Sequence, residues 1–195
     1  MTRCRIFWGL FLMVGIVSRV STATACDFPP RGLLQEPRVK LTGLYRNEAY
    51  DYSVVIPHQM VGYDDPNAAR HDGFGIAIGE RAEAYVLVQA DPNSLDDVAP
   101  TDATLRLLEY IRKGKKAIVT AHIMRSHLGS LEAAEVVVTY TCPGSAKRYT
   151  MDAVVAIDPG KDNVYEVTLW SPAYRYPNDH RIFDELLKSW KYTGN

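Results

Sequence analysis

Acid–base or metal chemistry in this chain would have to come from its 5 histidines and the carboxylates near them, because the imidazole is the side chain that changes charge near neutral pH without special help. His58, His71 and Asp72 fall in one polar stretch with Asp64, Asp65 and Asn67. Their oxygens and ring nitrogens could take a cation, or serve a hydrolase or metal-dependent enzyme, if the chain brought them within hydrogen-bond reach. The stretch lacks the alternate ligand positions and closing Glu of an EF-hand loop, so a solvated loop is the favoured reading. His122 and His127 lie five apart on a segment that reads as a strand running into a turn at Gly129. They cannot share a helical face as a metalloprotease pair must, and a partly buried strand histidine is expected instead of a zinc ligand.

Nucleophilic catalysis needs a Ser or Cys beside a base and an oxyanion site, and no Gly-x-Ser-x-Gly elbow occurs. Gly73-Phe74-Gly75 alternates within a strand pattern and does not open a helix, so it is no phosphate cradle. No catalytic residue, metal ligand or cofactor is therefore assigned. The remaining candidate is the aromatic, proline-rich run from Trp170 to Pro177, in which Trp170, Tyr174 and Tyr176 combine apolar area with polar tips suited to a partner. The blander reading, that some of these rings cap the core, is preferred. His58, His71, Asp72, Trp170, Tyr174 and Tyr176 are thus the positions where a protein or small ligand is expected to bind.

Charge and cysteines set the compartment. Arg3 and Arg5 precede the apolar run Ile6–Val17, which a short polar stretch links to Ala23-Thr24-Ala25. This is the order of a secretory signal, and an apolar run of 12 residues falls short of the roughly 20 that cross a bilayer as a helix. The whole chain carries 22 basic and 23 acidic residues, and loss of residues 1–25 takes Arg3, Arg5 and Arg19 with it. The mildly acidic remainder has no basic face for nucleic acid: the run Arg112-Lys113-Gly114-Lys115-Lys116 sits at a predicted helix end, where cations suit the helix dipole. Cys26 and Cys142 would remain, and in an oxidising compartment they are expected to pair, stabilising the fold by about 4 to 5 kcal/mol in the chain-entropy model. The rival reading is lipidation of Cys26 after Ala23-Thr24-Ala25, which lacks the Leu of a bacterial lipobox. Membrane attachment follows only in that case; otherwise the protein is periplasmic or secreted.

The elements follow from hydrophobic periodicity. After an extended lead-in at 26–38, residues 39–195 read as a single α+β domain. Val39–Arg46 and Tyr50–Ile56 form a hairpin, with Tyr50, Tyr52, Val54 and Ile56 on one face. Met60–Asp72 is a loop, and Phe74–Gly79 is a strand with one bulky and one nearly bare face, which lets another element approach. Tyr85–Ala90 is a strand stopped by a turn at Asp91-Pro92-Asn93. A helix over Thr101–Lys113 carries Leu105, Leu108 and Ile111 on one stripe. The strands Lys116–Met124, Glu132–Cys142, Lys147–Ile157 and Asn163–Trp170 follow, joined by short turns that make them antiparallel neighbours. A helix near Asn178–Trp190 closes the chain with Ile182, Phe183, Leu186, Leu187 and Trp190 on its apolar face. An antiparallel sheet of about six to eight strands under two helices results.

Tyr52-Ser53-Val54-Val55-Ile56-Pro57 is similar to the opening aromatic-to-proline strand of the PsbP-like superfamily, and Ser189-Trp190-Lys191 to its closing helix end. The order of elements also resembles that superfamily over nearly all of the chain beyond residue 25. The resemblance implies an α/β/α sandwich and, being closer to exported bacterial members, a module without chemistry of its own; it brings no site residues. The expected function is an exported, non-enzymatic binding or interaction domain. The alternatives are a hydrolase or metal-dependent enzyme built on the His58–Asp72 loop, and an immunity or inhibitor protein for an exported toxin.

Overall fold

The computed structural model describes residues 39–64, 72–80, 82–95, 97–113, 117–142 and 146–194. The expected leader, Cys26, the lead-in, His71 and the turn 143–145 lie outside the described residues. Two short strands open the fold, β1 (Lys40–Leu41) and β2 (Gly43–Asn47), followed by β3 (Tyr52–Ile56), β4 (Gly62–Asp64), β5 (Asp72–Ile78) and β6 (Ala84–Pro92). Helix α1 (Pro100–Lys113) leads into the meander β7 (Ala117–Leu128), β8 (Leu131–Thr141), β9 (Arg148–Asp158) and β10 (Asn163–Pro172). Helix α2 (Tyr176–Ser189) and β11 (Lys191–Tyr192) finish it. An 8-stranded antiparallel sheet has the order β1-β4-β5-β6-β10-β9-β8-β7, and a 3-stranded sheet has the order β11-β3-β2.

The sheet is covered on both faces, which is why every residue from Met151 to Asp158 of β9 is buried. Successive side chains take opposite sides. Met151 and Ala153 join the core with Leu108, Ile111, Val136 and Val138 beneath α1. Val154 and Ala156 join Tyr52, Phe74, Tyr165, Phe183, Leu186 and Trp190 beneath α2 and the small sheet. Trp190, at the C-terminal cap of α2, stacks on Tyr52 at 5.8 Å and meets Tyr165 edge-on at 5.4 Å. Gly129, with φ +59°, turns β7 into β8, and a Cβ there would come within 2.9 Å of the Trp190 ring. Ser189-Trp190-Lys191 is therefore a structural clasp, joined by the Val55 N–H donating to Ser189 Oγ at 3.0 Å.

Several expectations need correction, among them the loop Met60–Asp72, in which Gly62–Asp64 forms β4 between β1 and β5. The hairpin β2–β3 pairs at Gly43–Ile56 through Asn47–Tyr52, yet it joins β11 in a separate sheet instead of extending the large one. Leu105 is 51% exposed, because α1 turns Thr104, Leu108 and Ile111 inward, one residue round the helix from the expected stripe. Pro100 occupies the first helical position, where its missing N–H costs nothing, and Asp102 Oδ2 accepts the Ala99 N–H at 3.1 Å. Asp91 and Pro92 remain in β6, paired with Val164 and Asn163, so the turn begins only at Asn93. The connection after β7 is shorter than expected, since β7 runs to Leu128. Finally, His122 and His127 are exposed, because β7 is the edge strand of the sheet. Their odd spacing also puts them on opposite faces. The bare face of β5 is as expected: the Tyr85 ring crosses Gly75, where a Cβ would lie 1.5 Å from the hydroxyl oxygen.

Candidate functional site

Among the described residues, each face of the sheet carries a feature that can hold something. On the α2 side, Asp152 sits in the middle of β9 with no exposed surface. Period two places it on the same face as Val154, and Glu135 of β8 lies opposite Val154, so the two carboxylates are diagonal neighbours. From above, Tyr176, His180 and Asp184 descend at four-residue intervals along one face of α2. The Tyr176 hydroxyl donates to Asp152 Oδ2 at 2.7 Å, and His180 Nε2 lies 3.2 Å from the same oxygen. His180 Nδ1 is 3.6 Å from Asp184 Oδ1. Asp152 Oδ1 has no hydrogen-bond partner among the described residues.

Electrostatics follow from that geometry. Burial pushes the Asp152 carboxyl up to about 6, opposed by the Tyr176 hydrogen bond and the His180 ring and reinforced by Glu135 and Asp184. Burial likewise raises the Tyr176 phenol, and the adjacent Asp152 carboxylate adds to it. The helix is positioned for this from its first turn. Pro177 is tolerated near the helix start, and Asp179, buried, accepts Ser171 Oγ at 2.6 Å and Arg175 at 3.1 Å.

On the α1 side, a cavity of about 600 Å³ opens between the helix and the ends of β6 and β10. Leu95, Ala103, Leu107, Tyr110, Val155 and Val164 give it apolar walls, and polar groups including Gln89, Asp91, Arg106 and Glu166 line the rest. Gln89 Nε2 donates to Glu166 Oε2 at 3.3 Å. The rim is fixed by pairing: Arg106 bonds Asp97, the Asp97 N–H donates to Asn93 Oδ1 at 3.0 Å, and Asn93 Nδ2 donates to Asp162 Oδ1 at 3.0 Å.

The residues selected from sequence are dispersed. His58 is exposed in the turn after β3, Asp72 opens β5, and His71 lies outside the described residues. Trp170 faces α1 and stacks on Tyr85 at 6.3 Å, Tyr174 is 79% exposed, and Tyr176 is drawn under α2 to Asp152. The aromatic run is thus split among three environments, and only Tyr176 belongs to a polar cluster. Sequence reasoning missed Glu135, Asp152, His180 and Asp184. A carboxylate inside the apolar strand Met151–Ile157, together with the Tyr176, His180, Asp184 spacing, was the available signal. Cys142 is buried beyond the end of β8.

No protein-family model matches the sequence, and a search of curated proteins finds no match. Solved structures do match. Cyanobacterial PsbP (CyanoP) from Synechocystis sp. PCC 6803 aligns with a TM-score of 0.51 at 12% identity, over 81% of this chain and 95% of that one. The chain has the PsbP-like fold. The Ran-binding protein Mog1p of Saccharomyces cerevisiae shares it, with a TM-score of 0.52 at 8% identity over 80% of this chain and 96% of its own. At such identities the PsbP-like architecture is what is common, and neither the Asp152 cluster nor the cavity beneath α1 can be transferred from these neighbours. Among the described residues no helix is long and apolar enough to cross a membrane.

Proposed function

We propose that this chain is an exported, non-enzymatic binding domain that takes a small amphipathic ligand in the groove beneath α1. The observation that carries the reading is the cavity of about 600 Å³ with apolar walls and a few convergent polar groups, a size and lining suited to small molecules. An apolar body would pack on Leu107, Tyr110, Val155 and Val164, while Arg106 offers a charge-assisted donor to an anionic end. Support for export comes from the leader pattern at residues 1–25. The Cys26–Cys142 pairing, favoured by the burial of Cys142, would tie the N-terminus to the domain.

Titration with the anionic fluorescent probe anilinonaphthalene sulfonate tests the groove. Saturable binding is expected for the parent protein and its loss for Leu107→Trp, which fills the cavity. Equal binding by both would overturn the reading. The mass of the mature N-terminus separates a disulfide at Cys26, the expected result, from a lipid anchor.

A further inference from the structure

We propose that Glu135, Asp152 and His180 form a binding site for a single divalent transition-metal ion of the zinc type, on the sheet face opposite the groove. Each offers one ligand atom, and these atoms lie within 4.8 Å of one another, close enough to surround one ion. The independent sign of a missing occupant is Asp152 itself. It has no exposed surface, and its Oδ1 finds no hydrogen bond among the described residues, an arrangement native interiors avoid unless something else satisfies the group.

The surroundings are those of a metal ligand set. Tyr176 fixes Asp152 Oδ2 by a 2.7 Å hydrogen bond, leaving Oδ1 unclaimed. His180 turns Nε2 toward Asp152 and Nδ1 toward Asp184, at 3.6 Å. That carboxylate would hold the tautomer protonated on Nδ1, so that the Nε2 lone pair faces the ion, the carboxylate–histidine–metal arrangement common around zinc. His180 and Glu135 are half-buried, which gives an ion a way in from solvent. One imidazole with two carboxylates favours zinc or a similar borderline ion over magnesium, which prefers an all-oxygen set.

The test is calorimetric titration of Zn²⁺ into the chelator-treated full protein, with the histidine ring signals followed by NMR. Expected is one saturating ion, with the His180 signals shifting ahead of those of His58, His122 and His127, and no competition from Mg²⁺. His180→Gln, at a half-buried position whose variant should fold by circular dichroism, should weaken Zn²⁺ about 100-fold, and Asp184→Asn about 10-fold with the ring still ligating. No saturable Zn²⁺ binding, binding that His180→Gln leaves unchanged, or equal competition by Mg²⁺ would overturn the proposal. None of these results depends on the groove beneath α1.

Discussion

The two faces of the large sheet are covered in different ways. Beneath α2 and the small sheet the cover is aromatic and closed: Phe183, Trp190, Tyr52 and Tyr165 are buried, and Trp190 touches both tyrosine rings. Beneath α1 the helix sets down Ala103, Thr104, Leu108 and Ile111, mostly smaller groups, and the sheet beyond them toward β6 and β10 is left to a cavity. Large side chains fill a layer, whereas small ones with half-exposed neighbours leave room. The closed face therefore carries most of the stability, and the open face the room for a small amphipathic molecule. Asp152 and its neighbours, a polar feature of the closed face, lie where α2 crosses toward β8 and β9.

That contrast can be broken by truncation. Phe183→Ala should destabilise the protein by about 3 to 5 kcal/mol in urea unfolding, since it empties a fully buried site. Leu107→Ala, at the edge of the cavity, should cost less than about 1 kcal/mol. Equal costs would mean that the α1 face is as tightly packed as the other.

The closed face also carries a charge that folding disfavours. With the Asp152 carboxyl at about 6 in the fold and near 3.9 in an unfolded chain, the folded protein holds this proton more tightly. Its stabilising contribution is complete below about pH 4 and lost as pH rises through about 6. In chelated samples, Asp152→Asn should therefore gain on the parent between pH 4 and 7 by on the order of 2 kcal/mol. A difference between the two that stays flat over that range would show that the carboxyl is not buried as described.

Smaller effects sharpen the picture on the open side. Gly75→Ala should cost about 1 to 3 kcal/mol, because its Cβ would strike the Tyr85 ring, and the loss should shrink in a Tyr85→Ala background. Leu105→Gln should change stability by less than about 0.5 kcal/mol, since the side chain faces solvent. A large loss there would return α1 to the orientation its sequence suggested.

What the sequence revealed was periodicity. The strands β7 to β10 and both helices are legible because alternation and the helical repeat are local properties. The resemblance carried by Tyr52–Pro57 and Ser189-Trp190-Lys191 led to the right fold, and both segments prove to be structural. What was not legible depends on tertiary choice. Leu105 and Thr104 differ by one step round a helix, and the side facing the sheet is decided by packing. The hairpin β2–β3 pairs as expected, but its seat above the sheet is set by Trp190 and β11. The Asp152 cluster draws on β8, β9 and α2, so no single window contains it. Tyr176 lies before the helix expected near Asn178, yet α2 begins at Tyr176, since Pro177 is compatible with the first turn of a helix.

The central claim is that a small amphipathic molecule binds the open face under α1 and not the aromatic core beneath α2. Backbone amide NMR during titration with anilinonaphthalene sulfonate tests it most directly. The account predicts shifts concentrated at Leu95, Ala103, Leu107 and Tyr110, with Phe183 and Leu186 unmoved. Shifts centred on Phe183 and Leu186, with the α1 amides unmoved, would contradict it.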